Sequence, residues 1–444
     1  MKNLLILHLE SISRQRLAMF HDAFPNTRRL LQQAVVFDNF FASATSTLMV
    51  VGYLFYGNDF EFDVATEFEG MRPEGNNRHL FSILREHGYN VELIALNGFE
   101  ATQRTSLSAW PECLPPVWGT NDFPSLQARF DALTNARPFA IYVWDLITHM
   151  EHSLAVAPFS DGLTDQVRRA CAVADGAIGE MLATLEHKGL LNDTTIVVYG
   201  DHGDDCWSHG FKGGMIHATE PYTSITYAPF AIRDPELAPA TSDALACTID
   251  ITPTCLRFLG ISEAPAFTYS GIDLLSSARD FAYSQNFTAN QPDNRELGIA
   301  KAFAVVDRTY VLLASSRGLE LYAYRLDPGN HCNLMHFFDL EPGRRLRFRP
   351  RLRAAGHFLA ALEHNPRAIA HMAEHFSALH RALTVRVAAK RDYIVERGVE
   401  PAHALDPRCL ETINEDARAA FFRHAGPATV GPQPPAYDFY FRLR

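Results

Sequence analysis

Long apolar runs are missing from this sequence. No stretch of about 18 apolar residues occurs, so no segment is expected to cross a bilayer as a helix. The start, Met1-Lys2-Asn3-Leu4-Leu5-Ile6-Leu7-His8-Leu9-Glu10, has only a short apolar run and no small-residue cleavage site. A secretory signal is therefore not expected, and the cytoplasm is the expected compartment. Patterned cysteine is missing too. The seven cysteines (Cys113, Cys171, Cys206, Cys247, Cys255, Cys332, Cys409) are odd in number and scattered, without a CxxC pair or a close Cys/His quartet. They read as reduced, mostly buried thiols. Nor is there a basic excess: 40 Lys and Arg stand against 51 Asp and Glu, a net charge of −11 and a pI near 5.9. That balance argues against a dedicated nucleic-acid binder. There is no internal repeat or low-complexity tract.

What is present is an ordinary globular composition, 47% hydrophobic and 20% charged, which excludes disorder, collagen and coiled coil. At 444 residues the chain allows two or three domains, or one large α/β domain with an appendage. Nineteen histidines are the unusual count and direct attention to metal or acid–base chemistry.

Residues 4–9 form an apolar run ending in Glu10, as expected of a buried strand. A helix is expected over roughly Arg14 to Gln33, then an apolar stretch Val35–Phe41. Phe81–His87 reads as helix and Asn90–Leu96 as strand after the His87-Gly88 stop. Phe139–Leu146 is a third buried strand. Leu163–His187 has helical spacing through Val167, Cys171, Ala174, Ile178, Met181 and Leu185, and Thr194–Tyr199 is a fourth strand. Strands alternating with long helices predict an α/β fold: a mainly parallel central sheet with helices on both faces. Residues 1–290 are expected to form this catalytic domain. Residues 291–444 are expected to form a small C-terminal α+β subdomain. It would hold an antiparallel hairpin from Ala302–Leu313 and Leu319–Leu326, helices over 355–395 interrupted at Pro366, and a Pro-rich tail.

In parallel sheets ligands bind at the carboxyl ends of the strands. Glu10, His149 and Asp201-His202 each lie just past a predicted strand. Asp201 and His202 offer a hard oxygen and an imidazole to a divalent metal, and Glu10 a second carboxylate. Each also has a plain reading, since Asp-x-Gly is ordinary turn chemistry and a strand-end acid can cap the next helix. Thr45-Ser46-Thr47, before an apolar run, is either a helix N-cap or a hydroxyl nucleophile at a helix N-terminus.

The order of these pieces resembles the alkaline phosphatase/sulfatase superfamily, most closely its sulfatase-like branch. The matching segments are Leu7-His8-Leu9-Glu10-Ser11, Phe24-Pro25-Asn26 through Val36–Phe41 to Thr45-Ser46-Thr47, and Thr148-His149-Met150-Glu151-His152. They continue with mid-helix Asp175, Asn192-Asp193-Thr194, Asp201-His202-Gly203, His209-Gly210, His217, Asp250-Ile251-Thr252-Pro253-Thr254 and Leu259-Gly260-Ile261. Gly318-Leu319-Glu320-Leu321-Tyr322, Asp327-Pro328 and Asn333-Leu334 end the series near residue 335. The resemblance implies one divalent ion held by Glu10, Thr47, Asp201 and His202, zinc or manganese first and calcium as the other candidate. It also implies substrate contacts from His149, His217 and His209.

Two departures bear on the reaction. Formylglycine-dependent sulfatases need Cys or Ser in C/S-x-P-x-R, which is absent near residue 47, and they begin with Asp-Asp where this chain has Glu10-Ser11. Both features are similar to the threonine-nucleophile phosphoethanolamine and phosphoglycerol transferases, although those carry a membrane anchor. The implied function is a metal-dependent hydrolase or transferase cleaving phosphomono- or phosphodiesters through Thr47, with Thr45 as the other nucleophile. The alternatives are a sulfatase lacking formylglycine and a catalytically silent member that binds a glycan or a protein partner. The expected partner is a small-molecule, glycan or lipid-headgroup ester, with a homo-oligomer allowed. Lys212 is an anion contact or a solvated lysine, and Asp204-Asp205 a second-metal pair or a solvent-facing one. Six arginines between Arg344 and Arg353 are either an anionic dock or intramolecular partners for the acidic excess.

Overall fold

The computed structural model describes residues 1–59, 78–97, 117–120, 123–134, 136–149, 163–205, 209, 217–262, 270–286, 301–325, 327–330, 333–341, 345–348, 366–398 and 405–414. They cluster into two compact units: residues 1–204 with 225–279, and residues 205–224 with the chain from 280 onward. Strand β9 (Ala282–Gln285) and the segment 205–224 thus belong with the second unit, although both lie before residue 291.

The first unit is built on an eight-stranded sheet. Its strands are β1 (Asn3–Leu9), β2 (Val35–Phe41), β3 (Asn90–Leu96), β4 (Val117–Thr120), β5 (Phe139–Asp145), β6 (Thr194–Gly200), β7 (Phe230–Arg233) and β8 (Ala240–Cys247), in the order β4-β3-β5-β1-β6-β7-β2-β8. Only β7 runs antiparallel to its neighbours. The central strands β1, β5 and β6 are buried at every residue, which is why their sequences are continuous apolar runs rather than alternating ones. Register sets what each face carries. Ile6 pairs with Tyr142 and His8 with Trp144, so these side chains share one face, while Leu7 and Val143 occupy the other. Leu7, Leu9 and Val143 line one small cavity together with Ala174, Ala177, Ile178 and Met181 of the helix Leu163–His187. On the opposite face, the helices Thr47–Tyr56 and Leu80–Glu86 bring Phe55 and Phe81 against the Tyr142 ring. Helices therefore cover both faces, as the α/β reading requires.

The helix expected from Arg14 to Gln33 is two helices, Arg14–Met19 and Pro25–Leu31, with a 3₁₀ turn between them. Pro25 has no N–H to continue the first helix and disfavours helical geometry at Phe24, so it starts a new helix instead. Asp175 receives that new helix: its carboxylate accepts the backbone N–H of Asn26 (2.8 Å) and of Thr27 (2.7 Å) and the Thr27 hydroxyl (2.7 Å).

The second unit has a four-stranded antiparallel sheet of β9, β10 (Ala302–Val306), β11 (Val311–Ser315) and β12 (Gly318–Tyr322), and a two-stranded ribbon of β13 (Phe338–Glu341) and β14 (Arg345–Phe348). The strand expected over Ala302–Leu313 is broken because Asp307 turns the chain, accepting the backbone N–H groups of Thr309 and Tyr310 at 2.7 Å each. The helix Pro366–Glu396 lies on this sheet through Met372, Phe376, Leu379, Leu383 and Val387. Each such buried side chain contributes roughly 1.5–3 kcal/mol. Pro366 is the first residue of this helix, and residues 355–365 of the expected helical stretch lie outside the described residues. In β14, Arg347 pairs with Asp339 (3.4 Å) and Glu341 (3.2 Å), the intramolecular alternative for that arginine. Arg344, Arg349, Arg351, Arg353 and the Pro-rich tail lie outside the described residues.

Candidate active site

The carboxyl ends of β1 and β6 are adjacent, because β1 and β6 pair in parallel with Leu9 opposite Gly200. The residues that follow, Glu10 and Asp201, are thereby side by side, and both are fully buried. Gly200 is required for this approach. A Cβ there would stand 2.2 Å from the Ile12 carbonyl oxygen and 2.8 Å from Pro229 Cδ. Ser11 turns the chain away from the sheet with a φ of 55°, in the left-handed region, and its N–H donates to Asp201 Oδ1 at 2.8 Å. Arg16 braces the turn by donating to the Ser11 carbonyl (2.8 Å) and to Asp204 Oδ2 (3.0 Å).

Glu10 is held on all sides. Trp144 Nε1 donates to Oε2 at 2.7 Å, Ser11 Oγ to Oε1 at 3.2 Å, and Thr148 Oγ1 to the Glu10 carbonyl at 2.6 Å. Thr47 opens the helix Thr47–Tyr56, so its hydroxyl sits at a helix N-terminus, where the backbone N–H groups favour negative charge. Thr47 Oγ1 lies 3.1 Å from Glu10 Oε1 and 2.9 Å from His202 Nε2. His202 Nδ1 is 3.0 Å from the Gly203 carbonyl, which can only accept. The neutral ring therefore carries its proton on Nδ1 and turns the Nε2 lone pair toward Thr47. Two acceptors thus face a single hydroxyl proton. Glu10, Asp201 and His202 are fully buried, whereas Thr47 is partly exposed, so it is the member of this set a substrate can reach.

His8 completes the cluster and was not foreseen. Its Nε2 stands 3.4 Å from Glu10 Oε2 and 3.3 Å from Asp201 Oδ2, and ligand atoms of these three side chains all lie within 4.8 Å of one another. Its Nδ1 is 2.6 Å from Tyr142 OH, which is 2.7 Å from Tyr199 OH, and its ring stacks on Trp144. Burial works against a charged His8, but Asp201 and Glu10 outweigh it and raise its pKa to about 9. Burial alone would raise the Glu10 pKa; His8 above all, by hydrogen bond and charge, instead holds it well below the carboxylate range. Burial pushes the Tyr142 and Tyr199 phenols well up, so both remain neutral donors. Two buried carboxylates need a counter-charge, and either an imidazolium at His8 or a divalent cation supplies it.

The donor set fits a divalent ion. His8 Nε2 and Asp201 Oδ2 are buried atoms that make no hydrogen bond, both in the centre of the cluster. Such groups are costly unless something coordinates them. Imidazole nitrogens beside carboxylates suit zinc or manganese better than calcium, which takes oxygen.

The structure brings together Glu10, Thr47, Asp201 and His202, the four residues implied as ligands. His149 follows the 3₁₀ turn Leu146–Thr148 that leaves β5, its backbone N–H closing that turn onto the Leu146 carbonyl. His209 belongs to the second unit. Its Nδ1 meets Asp205 and its Nε2 the Asn330 carbonyl, and its ring stacks on Tyr222. Both ring nitrogens are thus engaged within that unit. His217, also there, is buried. Asp204 and Asp205 are buried rather than solvent-facing, one paired with Arg16 and the other with His209. The Thr45 hydroxyl is buried and makes no hydrogen bond. Lys212 and His152 lie outside the described residues.

A family model described as Sulfatase matches residues 2–261. Arylsulfatase A of Homo sapiens is 24% identical over 244 residues, 49% of this chain and 45% of that protein. Arylsulfatase K of Xenopus laevis is 28% identical over 128 residues, 28% of this chain and 23% of that protein. The chain thus spans less than half the length of these curated relatives. Among solved structures, a 2-O GAG sulfatase aligns with a TM-score of 0.63 at 16% identity over 93% of this chain and 96% of that one. The phosphonate monoester hydrolase of Agrobacterium radiobacter gives 0.57 at 16% identity over 79% and 100%. The lipoteichoic acid synthase LtaP of Listeria monocytogenes gives 0.52 at 18% identity over 70% and 81%. These three likenesses establish the fold.

Proposed function

The chain belongs to the sulfatase family, and from that premise we propose that it is a metal-dependent hydrolase or transferase of phosphate esters with Thr47 as nucleophile. The observation that carries the proposal is the Thr47 hydroxyl, partly exposed at a helix N-terminus and 2.9 Å from the lone pair of His202 Nε2. Glu10, Thr47, Asp201 and His202 would hold one divalent ion, with His8 as a further nitrogen donor to the same pocket. When bound, such an ion lowers the pKa of a coordinated hydroxyl and offsets negative charge on the transferred group.

The rest of the chemistry falls to the chain. Thr47 Oγ attacks phosphorus in line, and its proton passes to Glu10 Oε1. The Thr47 O–P bond forms as the ester P–O bond breaks, and the leaving oxygen takes up a proton. Water or an acceptor hydroxyl then attacks the phosphothreonine and frees Thr47. The N-terminal N–H groups of the Thr47–Tyr56 helix and His149 stabilise the charge that develops on the non-bridging oxygens.

Sulfate esters are the second reading. It is favoured by the arylsulfatase relatives, whereas a threonine in place of a formylglycine precursor and the LtaP and phosphonate monoester hydrolase likenesses favour phosphorus. The test is turnover of aryl phosphate, phosphodiester and sulfate esters by the native chain, Thr47→Ala and Thr45→Ala. The phosphate reading requires phosphoester turnover that falls at least about 10³-fold in Thr47→Ala and persists in Thr45→Ala. Sulfate turnover alone would replace it with the second reading.

A further inference from the structure

The second unit carries another pair of imidazoles, independent of the Glu10 cluster. His371 and His375 are one turn apart on the helix Pro366–Glu396 and so lie on the same face. Their Nε2 atoms are 3.0 Å apart and their rings are tilted by 45° with centroids 4.1 Å apart. His375 Nδ1 is 2.5 Å from Asp307 Oδ2, and a carboxylate can only accept. The proton of a neutral His375 is therefore on Nδ1, and its Nε2 lone pair points at His371. His371 Nδ1 in turn is 3.3 Å from Tyr310 OH. Both rings are thus held by their Nδ1 atoms, and both Nε2 atoms converge on one point at a partly exposed surface.

We infer that His371 and His375 form a binding site for a first-row divalent metal ion of the zinc, nickel or copper class. Three features carry the inference. Two nitrogen donors about 2.0–2.1 Å from one ion stand roughly 2.9 Å apart at a right angle and ~3.3 Å apart at the tetrahedral angle. The observed 3.0 Å lies between these values. Next, Asp307 stands behind His375 as the carboxylate that fixes the tautomer and ring orientation of a metal-binding histidine. Asp307 is itself fixed, 8% exposed and bound to the N–H groups of Thr309 and Tyr310. Finally, imidazole pairs at this helical spacing suit zinc, nickel and copper, whereas magnesium and calcium prefer oxygen. No third metal-ligating side chain joins the pair among the described residues, so water would fill the remaining positions of a bound ion. The bound ion would link the long helix to the β10–β11 turn.

The test uses the untagged full chain, stripped by chelator and titrated with Zn²⁺ under equilibrium dialysis with elemental analysis. The native chain should bind one equivalent more than the His371→Gln/His375→Gln double variant. Asp307→Asn should weaken that equivalent by about 10–100-fold. Glu10→Gln should retain it, which separates this site from the proposed catalytic ion. Equal stoichiometry in the native chain and a double variant with native circular dichroism overturns the inference. Should the double variant not fold, zinc-edge anomalous scattering from native crystals decides. A peak between the two Nε2 atoms supports the site, and its absence at saturating Zn²⁺ refutes it.

Discussion

Replacing Asp175 tests whether the site is supported from outside or shaped only by its own ligands. Asp175 is 1% exposed on the Leu163–His187 helix and accepts three hydrogen bonds at the start of the Pro25–Leu31 helix. In Asp175→Asn, one oxygen remains for the Thr27 N–H and hydroxyl, while the new amide turns its own N–H groups toward the N–H of Asn26. One backbone donor loses its partner, at about 1–3 kcal/mol. The charge facing the helix N-terminus is also lost, for up to ~2 kcal/mol in a buried setting. The sum is about 3 kcal/mol. Asp175→Ala leaves two backbone N–H groups and a hydroxyl without their acceptor and should cost about 4–5 kcal/mol. At roughly 2–4 °C per kcal/mol for a unit of this size, the Asn variant should melt about 6–12 °C below the native chain. Thermal unfolding followed by circular dichroism reads the shift. Turnover per folded molecule, measured well below the transition, should be unchanged. A melting shift under about 1 °C, or lost turnover without a shift, would refute the assignment of Asp175 as a purely structural anchor.

Gly200→Ala should destabilise the first unit by about 1–3 kcal/mol and weaken metal binding, because its Cβ meets the Ile12 carbonyl at the base of Asp201. A melting curve and a metal titration check both. Burial alone would raise the pKa of Asp234, but Lys2 and Thr195 hold it below the carboxylate range. Its contribution is therefore present above the unfolded carboxylate's pKa and lost as pH falls through the lower folded value. Asp234→Asn should be less stable than the native chain at neutral pH, and the difference should vanish in acid denaturation. Chelator should abolish ester turnover and lower the melting temperature, with Zn²⁺ or Mn²⁺ restoring both. Recovery by Ca²⁺ alone would contradict the nitrogen-bearing donor set.

Glu10, Asp201 and His202 were legible in the sequence because buried parallel strands are written as apolar runs, and a charged residue where such a run stops marks the sheet's ligand-binding edge. Thr47 was legible only through the order of motifs, since Thr45-Ser46-Thr47 also reads as a helix cap. The structure separates the two threonines by contact, with Thr47 against Glu10 and His202 and the Thr45 hydroxyl unbonded. His8 escaped notice because a lone imidazole inside an apolar strand reads as core. The available signal was its place two residues before Glu10, hence on the same face, at a depth shared with Trp144 across the register. The break at Pro25 was written in the residue itself but was overridden by the apolar periodicity on either side. His209 could not be assigned from sequence, because its partner Asn330 is 121 residues away.

The most direct measurement is a covalent trap. Native chain and aryl phosphate, quenched in acid during turnover and digested, should yield a phosphorylated peptide with the modification on Thr47. The adduct should persist in Thr45→Ala and be absent from Thr47→Ala. Modification of Thr45 or another residue, or full turnover by Thr47→Ala, would contradict the account.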